Sequence, residues 1–178
     1  GKTLGLVGTG RIGSEVARLA QAFGMKTIAC DPYVPKEVME KMCIGCVELA
    51  ECMSQSDYIS IHSLLTDETK GMIGEEKLRM MKKTAFIINC ARGGIIQDEA
   101  LYKALTKGWI AGAALDVYED EPPKNRKLIE LENVICTPHI GALTSEAQLK
   151  AGNITAEQVA KVLKGEKPDF VVNQEVLE

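Results

Sequence analysis

With 178 residues, 46% of them hydrophobic and 26% charged, the chain has the size and composition of one globular domain able to bury a sizeable core. A net charge of −4 without any basic run excludes a polyanion-binding surface, so no nucleic-acid partner is expected. No apolar run is long enough to span a membrane, and the opening residues read as a core strand rather than a secretory signal; no membrane partner and a cytoplasmic location are expected.

Thr3-Leu4-Gly5-Leu6-Val7 reads as a buried strand running into Gly8-Thr9-Gly10-Arg11-Ile12-Gly13. In a dinucleotide-binding βαβ unit Gly8 allows the tight turn, Gly10 lets the backbone approach a pyrophosphate, and Gly13 lets the helix pack close to the sheet. The helix that follows offers free N–H groups and its positive dipole end to the phosphates. Ile12, Val16, Leu19, Ala20 and Phe23 recur at helical spacing and predict one apolar helical stripe. Thr27-Ile28-Ala29-Cys30 is the second strand, and it delivers Asp31, whose carboxylate can accept hydrogen bonds from an adenosine ribose. Glycine turns are common on their own; here the strand before, the helix after and the acidic residue at the right distance argue together. The charge of Asp31 would repel a 2′-phosphate and no arginine lies nearby, so NAD is favoured over NADP.

Pro32 and Pro35 punctuate the next loop, and Val38 to Met42 reads as a short helix. Leu49 to Met53 follows as one or two helical turns, then Tyr58-Ile59-Ser60-Ile61 as a strand ending at His62. After the turn-rich stretch Ser63 to Gly74, a short helix is expected over Glu75 to Met81. Ala85-Phe86-Ile87-Ile88-Asn89 is the clearest strand; it runs into Cys90-Ala91-Arg92-Gly93-Gly94, and a helix with Leu101, Ala104 and Leu105 on its inner face comes next. Ile110 to Leu115 is a further strand ending at Asp116. The acidic loop Glu119-Asp120-Glu121-Pro122-Pro123 leads on to Val134-Ile135-Cys136 and Pro138-His139. The last helix is expected to begin near Ser145, with Gln148 completing a capping box, and to end at Lys164-Gly165. This alternation predicts an α/β fold, a doubly wound parallel sheet of the Rossmann type.

Ligands bind at the carboxyl ends of strands in such a sheet, so Arg92, Asp116 and His139 are expected to converge on one crevice. His139 is the candidate acid/base, because an imidazole titrates near neutrality. Glu121 or Asp116 could stand beside it, favouring the imidazolium and fixing the tautomer. Arg92 could clamp a substrate carboxylate and polarise a carbonyl. Singly, each has a plainer reading as a surface ion pair, a solvated acid or a structural histidine; their joint position beside the dinucleotide fingerprint favours catalysis. Of the cysteines Cys30, Cys43, Cys46, Cys52, Cys90 and Cys136, three lie at or near strand ends and are expected to pack as small hydrophobes. Cys43-Ile44-Gly45-Cys46 has redox or metal spacing, but no second such pair exists and the only histidines, His62 and His139, lie far along; free thiols and no metal are expected.

Taken together, GTGRIG, the aspartate after the second strand, NCARGGI, AALDVYEDEPP and TPHIGALTSEAQ resemble the NAD-dependent D-isomer-specific 2-hydroxyacid dehydrogenases over nearly the whole chain. The resemblance implies NAD as cofactor, a small-molecule 2-hydroxy or 2-oxo acid as substrate, and a homodimer formed largely through this domain. The family's catalytic arginine, glutamate and histidine fall on Arg92, Glu121 and His139, and its nicotinamide-side aspartate on Asp116. Gly8, Gly10, Arg11, Ile12, Gly13, Asp31, Ser63, Cys90, Ala91, Gly141 and Ala142 carry over as cofactor contacts, with Arg92, Asp116 and His139. NCARGGI, Pro122-Pro123 and PHIGA followed by Thr144 and Glu146-Ala147-Gln148 look most like the branch that acts on 3-phosphoglycerate. Glyoxylate, hydroxypyruvate or D-lactate reduction is the alternative, and the same fold also serves in NAD(H)-sensing transcriptional corepressors. Three departures stand out. Leu64 replaces a common proline. Gln97 replaces an aspartate that caps the next helix, a role Asp98 is expected to take over. The family inserts its nucleotide domain within a substrate domain, so residues 1–178 read as the nucleotide domain alone, with a core to about residue 165 and 166–178 as the return segment.

Overall fold

The computed structural model describes residues 1–177. Strands β1 (Thr3–Val7), β2 (Lys26–Cys30), β3 (Gly45–Cys46), β4 (Tyr58–Ile61), β5 (Phe86–Asn89), β6 (Gly112–Leu115) and β7 (Val134–Cys136) pair in parallel in the order β3-β2-β1-β4-β5-β6-β7. Parallel neighbours need crossover connections, which helices supply here. These are α1 (Arg11–Ala22), α2 (Lys36–Lys41), α3 (Leu49–Gln55), α4 (Glu75–Met80), α5 (Asp98–Thr106) and α6 (Arg126–Ile129); α7 (Ser145–Leu163) follows the last strand. The chain forms two compact units, Gly1–His139 and Ile140–Glu178, and the sheet with α1 to α6 belongs to the first.

Side chains alternate across β1, and the two faces build separate cores. Leu4 and Leu6 pack with Ala17 and Ala20 of α1 and Met39 of α2. Val7 joins Ile59, Ile61 and Ile87 under Met53 of α3, Leu78 of α4, Leu101 and Leu105 of α5, and Leu128 of α6. Helices on both faces of a parallel sheet make the doubly wound α/β architecture. The chain leaves β1 toward β2 on one side and reaches β4 on the other, so a crevice opens where those connections part.

Several local expectations need correction. The apolar stripe of α1 is buried only in part: Ala20 packs inward with Gly13 and Ala17, which lie outside the stripe, whereas Ile12, Leu19 and Phe23 are 69%, 47% and 87% exposed. The helix lies so close to β1 that a Cβ on Gly13 would collide with the Gly8 carbonyl oxygen, and only small side chains fit between. Val16 is partly buried at the edge of this contact. The cap of α7 is Thr144, one residue earlier than expected; its side chain accepts from the Ala147 N–H, so the Ser145–Gln148 box does not form. Gly165, with φ +77°, ends that helix as predicted. Asp98 does not cap α5, because it is already the first helical residue; the N-cap is Gln97, whose amide instead donates to the Gly71 carbonyl at 2.8 Å. Of the cysteines, only Cys52 is buried and Cys30 is half-buried; Cys46, Cys90 and Cys136 are exposed at or next to strand ends, and Cys43 is exposed in the turn after α2. The two-residue β3 and the single-turn α6 are too short to carry a periodicity.

Candidate functional site

A cavity of about 630 Å³ opens at the carboxyl ends of β1, β2 and β4, lined in part by Gly8, Gly10, Asp31, Tyr33, Ser63 and Leu64. Gly8 sits at φ +98° in the turn out of β1, and any side chain on it would also press on the Ser63 N–H at 2.9 Å. Gly10 is the N-cap of α1 with no side chain capping it, and a Cβ there would meet nothing within 4 Å. The N–H groups of Arg11, Ile12 and Gly13 therefore have a clear approach for an anion, at the helix end where the dipole favours one. The Asp31 carboxylate stands at the end of β2. Its Oδ2 accepts from the Thr9 N–H at 2.7 Å and the Thr9 hydroxyl at 3.1 Å, and its Oδ1 accepts from the Tyr33 N–H at 2.9 Å. Across the cavity mouth the Tyr33 hydroxyl donates to Glu68 at 2.7 Å. Ser63 Oγ is buried without a protein partner among the described residues, the condition of a group waiting for a polar ligand. His62, beside it, pairs with Ser60 Oγ at 2.9 Å, and burial lowers its pKa, which keeps the ring neutral against the nucleotide pocket.

The second half of the site is built at the exits of β5 and β6. Asn89, buried at the end of β5, closes the turn that follows: its Oδ1 accepts from the Ala91 N–H and its Nδ2 donates to the Arg92 carbonyl. Arg92 is exposed, with its guanidinium donating to the Ala91 carbonyl at 2.6 Å. A Cβ on Gly93 would overlap the Tyr118 carbonyl, so the absence of a side chain lets the acidic loop lie against this turn. Asp116 is buried, its N–H bonded to the Asn89 carbonyl and its carboxylate accepting from the Thr137 hydroxyl. The Tyr118 hydroxyl lies 2.9 Å from the Thr137 carbonyl and 3.1 Å from that of Leu115, tying the loop down.

Glu121 and His139 meet across that loop. His139 Nδ1 lies 2.8 Å from Glu121 Oε2, and Glu121 Oε1 accepts from the Tyr118 N–H at 3.3 Å. The bond to His139 is the main reason the Glu121 carboxyl is held below its usual range. An ionised carboxylate can only accept, so Nδ1 is the donor in this contact and Nε2 is the ring nitrogen left for a substrate. His139 adopts φ +55°, a left-handed backbone that β-branched residues avoid and that turns the ring toward Glu121's loop.

The structure thus brings Glu121 and His139 into contact, places Arg92 and Asp116 at the neighbouring strand exits, and sets Gly8, Gly10, Asp31 and Ser63 around the nucleotide cavity. Arg92 makes its hydrogen bond to its own turn rather than to Glu121 or His139. Ile12 is exposed at the start of α1, Cys90 and Ala91 lie at the end of β5, and Gly141 and Ala142 belong to the second unit. Among the described residues no group of three His, Cys, Asp or Glu side chains could hold a metal ion, and no helix is long and apolar enough to cross a membrane. Sequence reasoning passed over Thr9, Asn89 and Thr137 as site residues. Of these only Asn89 carried a signal, being the amide at a strand end that favours a side-chain-closed turn.

The sheet order, the glycine turn over an uncapped helix end and the carboxylate at the next strand's end define a dinucleotide-binding domain. Residues 1–141 match the model of the D-isomer specific 2-hydroxyacid dehydrogenase NAD binding domain, and the chain belongs to that family. Its cofactor is NAD. D-3-phosphoglycerate dehydrogenase of Methanocaldococcus jannaschii is 54% identical over 174 residues, 97% of this chain and 33% of that protein. Glyoxylate reductase of Korarchaeum cryptofilum is 44% identical over 178 residues, 99% of this chain and 54% of that protein. The crystal structure of D-lactate dehydrogenase with NAD+ from Lactobacillus jensenii superposes with a TM-score of 0.89 at 34% identity, covering 96% of this chain and 55% of that one. The chain thus spans between a third and about half the length of these relatives.

Proposed function

We propose that this chain is the coenzyme half of a D-2-hydroxyacid dehydrogenase whose substrate is 3-phosphoglycerate, oxidised to 3-phosphohydroxypyruvate in serine biosynthesis. The observation that carries the catalytic reading is the 2.8 Å contact between His139 Nδ1 and Glu121. Bound NAD supplies the hydride acceptor for the hydrogen on substrate C2. His139 Nε2 takes the hydroxyl proton as the C2 carbonyl forms, and the ionised Glu121 stabilises the imidazolium that results. Arg92, with one donor on Ala91, keeps the rest of its planar fork for the substrate carboxylate. In the reverse direction the same imidazolium returns the proton to the carbonyl oxygen.

The choice of substrate rests on the 54% identity to a 3-phosphoglycerate dehydrogenase. Glyoxylate or hydroxypyruvate reduction is the second reading, favoured by the 44% identity over 99% of the chain to a glyoxylate reductase. Residues 1–178 act as one nucleotide-binding module with 166–178 as the segment returning to a substrate domain, in a cytoplasmic homodimer. The test is steady-state kinetics on the whole polypeptide with 3-phosphoglycerate, glyoxylate, hydroxypyruvate and D-lactate. The highest kcat/KM is expected for 3-phosphoglycerate; a higher value for glyoxylate would replace the first reading with the second.

A further inference from the structure

We propose that Thr9 is a positioning residue that sets coenzyme preference by clamping the Asp31 carboxylate to the glycine turn. Thr9 occupies the variable position between Gly8 and Gly10, where its side chain could have faced solvent or the sheet. Instead it is buried, and both its N–H and its hydroxyl donate to the same oxygen, Asp31 Oδ2, at 2.7 and 3.1 Å. The Tyr33 N–H holds the other oxygen at 2.9 Å. A carboxylate has about four lone-pair sites. With these donors in place it has little acceptor capacity left, which suits a ribose hydroxyl.

The clamp has two consequences for binding. The turn that receives the pyrophosphate and the carboxylate that receives the ribose become one rigid piece, so less ordering remains to be done when the dinucleotide arrives. The carboxylate also cannot swing aside. A 2′-phosphate would meet a negative charge held in place, and this makes the selection against NADP stricter than an unrestrained Asp31 could make it. Removing the hydroxyl while keeping the shape of the side chain should loosen both effects.

The inference rests on the NAD site described above and is tested by titration calorimetry of NADH and NADPH with Thr9→Val, Thr9→Ser, Asp31→Asn and the Thr9→Val/Asp31→Asn double variant. Thr9→Val is expected to weaken NADH binding by about three- to tenfold, the scale of one charge-assisted hydrogen bond felt indirectly, and to narrow the NADH-to-NADPH ratio. Thr9→Ser, which keeps the hydroxyl, should restore both. In the Asp31→Asn background Thr9→Val should change NADH binding by less than about twofold, because the two residues then act as one unit. A merely structural Thr9 would lower the thermal midpoint of the ligand-free chain and leave the NADH-to-NADPH ratio unchanged, which would overturn the proposal. So would an equal loss in the Asp31→Asn background. If Thr9→Val does not fold, Thr9→Ala carries the same comparison. Failure of the unmodified chain to bind NADH would instead refute the site itself.

Discussion

Replacing Asp98 by asparagine is expected to stabilise the domain above pH 6 and to leave it unchanged near pH 4. The Asp98 carboxyl stands half-buried at the first position of α5, where burial, then the charges of Glu119, Glu99 and Asp120, push its pKa from the ordinary 3.8 up to about 6. The folded state therefore holds this proton more tightly than the unfolded chain does. No penalty exists below pH 3.8, stability falls as the pH climbs to about 6, and above that the penalty is constant. At 1.36 kcal/mol per pKa unit the displacement is worth roughly 3 kcal/mol. Solvent around the exposed half of the group screens this to about half, and the helix N-terminus, which favours a negative charge, returns about 0.3–1 kcal/mol. The net cost is about 1 kcal/mol, which Asp98→Asn should recover at pH 8 as a shift of about 2–4 °C in the thermal midpoint. Urea unfolding from pH 4 to pH 8 is the direct assay. An equal gain at both pH values, or a loss at pH 8, would refute the reasoning, the latter by showing that the helix end outweighs burial.

The coenzyme, the proton carrier and the assembly give three further expectations. Asp31→Ala should narrow the preference for NAD over NADP by removing both the charge and the ribose acceptor; calorimetry showing tighter NADP binding by the unmodified chain would sink the idea. In the whole polypeptide His139→Ala should lower turnover by roughly 10²–10⁴-fold. Glu121→Gln should change the pH profile of the oxidation rate, since it removes the carboxylate paired with the ring while keeping a hydrogen-bonding group. The unmodified pair should keep its contact as pH falls through the usual carboxylate range, because the Glu121 carboxyl is held below that range by its bond to His139; a pH profile identical in the two proteins would count against the pairing. Light scattering of the chain at high micromolar concentration should give a dimer mass, consistent with the apolar Ile12, Leu19 and Phe23 that α1 leaves exposed; a monomer would show that this domain does not carry the interface.

Apart from β3 and α6, the order of strands and helices is legible in the sequence because the longer parallel strands are short apolar runs that end at turn or polar residues. Gly8 and Gly13 are legible for a stronger reason: their roles are steric and local, a left-handed turn and a close approach, and both can be read from spacing alone. The buried face of α1 is not, and the same Gly13 explains why. Periodicity reports which side of a helix is apolar, but not how far that side stands from the sheet. At the separation set by Gly13 the contact belongs to Ala17 and Ala20, while the larger residues of the stripe are displaced outward. The caps of α5 and α7 both fall one residue earlier than the sequence suggests, at Gln97 and Thr144, since Asp98, Ser145 and Thr144 all suit an N-cap by type and only backbone geometry decides where the helix starts.

At the catalytic end the residue types are legible and their pairing is not. Asp116 and Glu121 are both carboxylates near the exit of one strand, and spacing leaves either free to serve His139. Their surroundings separate them. Asp116 is 4% exposed and takes its hydrogen bond from the Thr137 hydroxyl, whereas Glu121 has 41% of its side chain exposed and meets the imidazole directly. What decides the pairing is reach: the Asp116 carboxylate accepts from the Thr137 hydroxyl, while Glu121 Oε2 lies 2.8 Å from His139 Nδ1. Asp116 is spent within the interior at the end of β6, against the Thr137 hydroxyl. Glu121 is carried by the acidic loop instead, and Gly93, where a Cβ would overlap the Tyr118 carbonyl, lets that loop rest against the turn after β5.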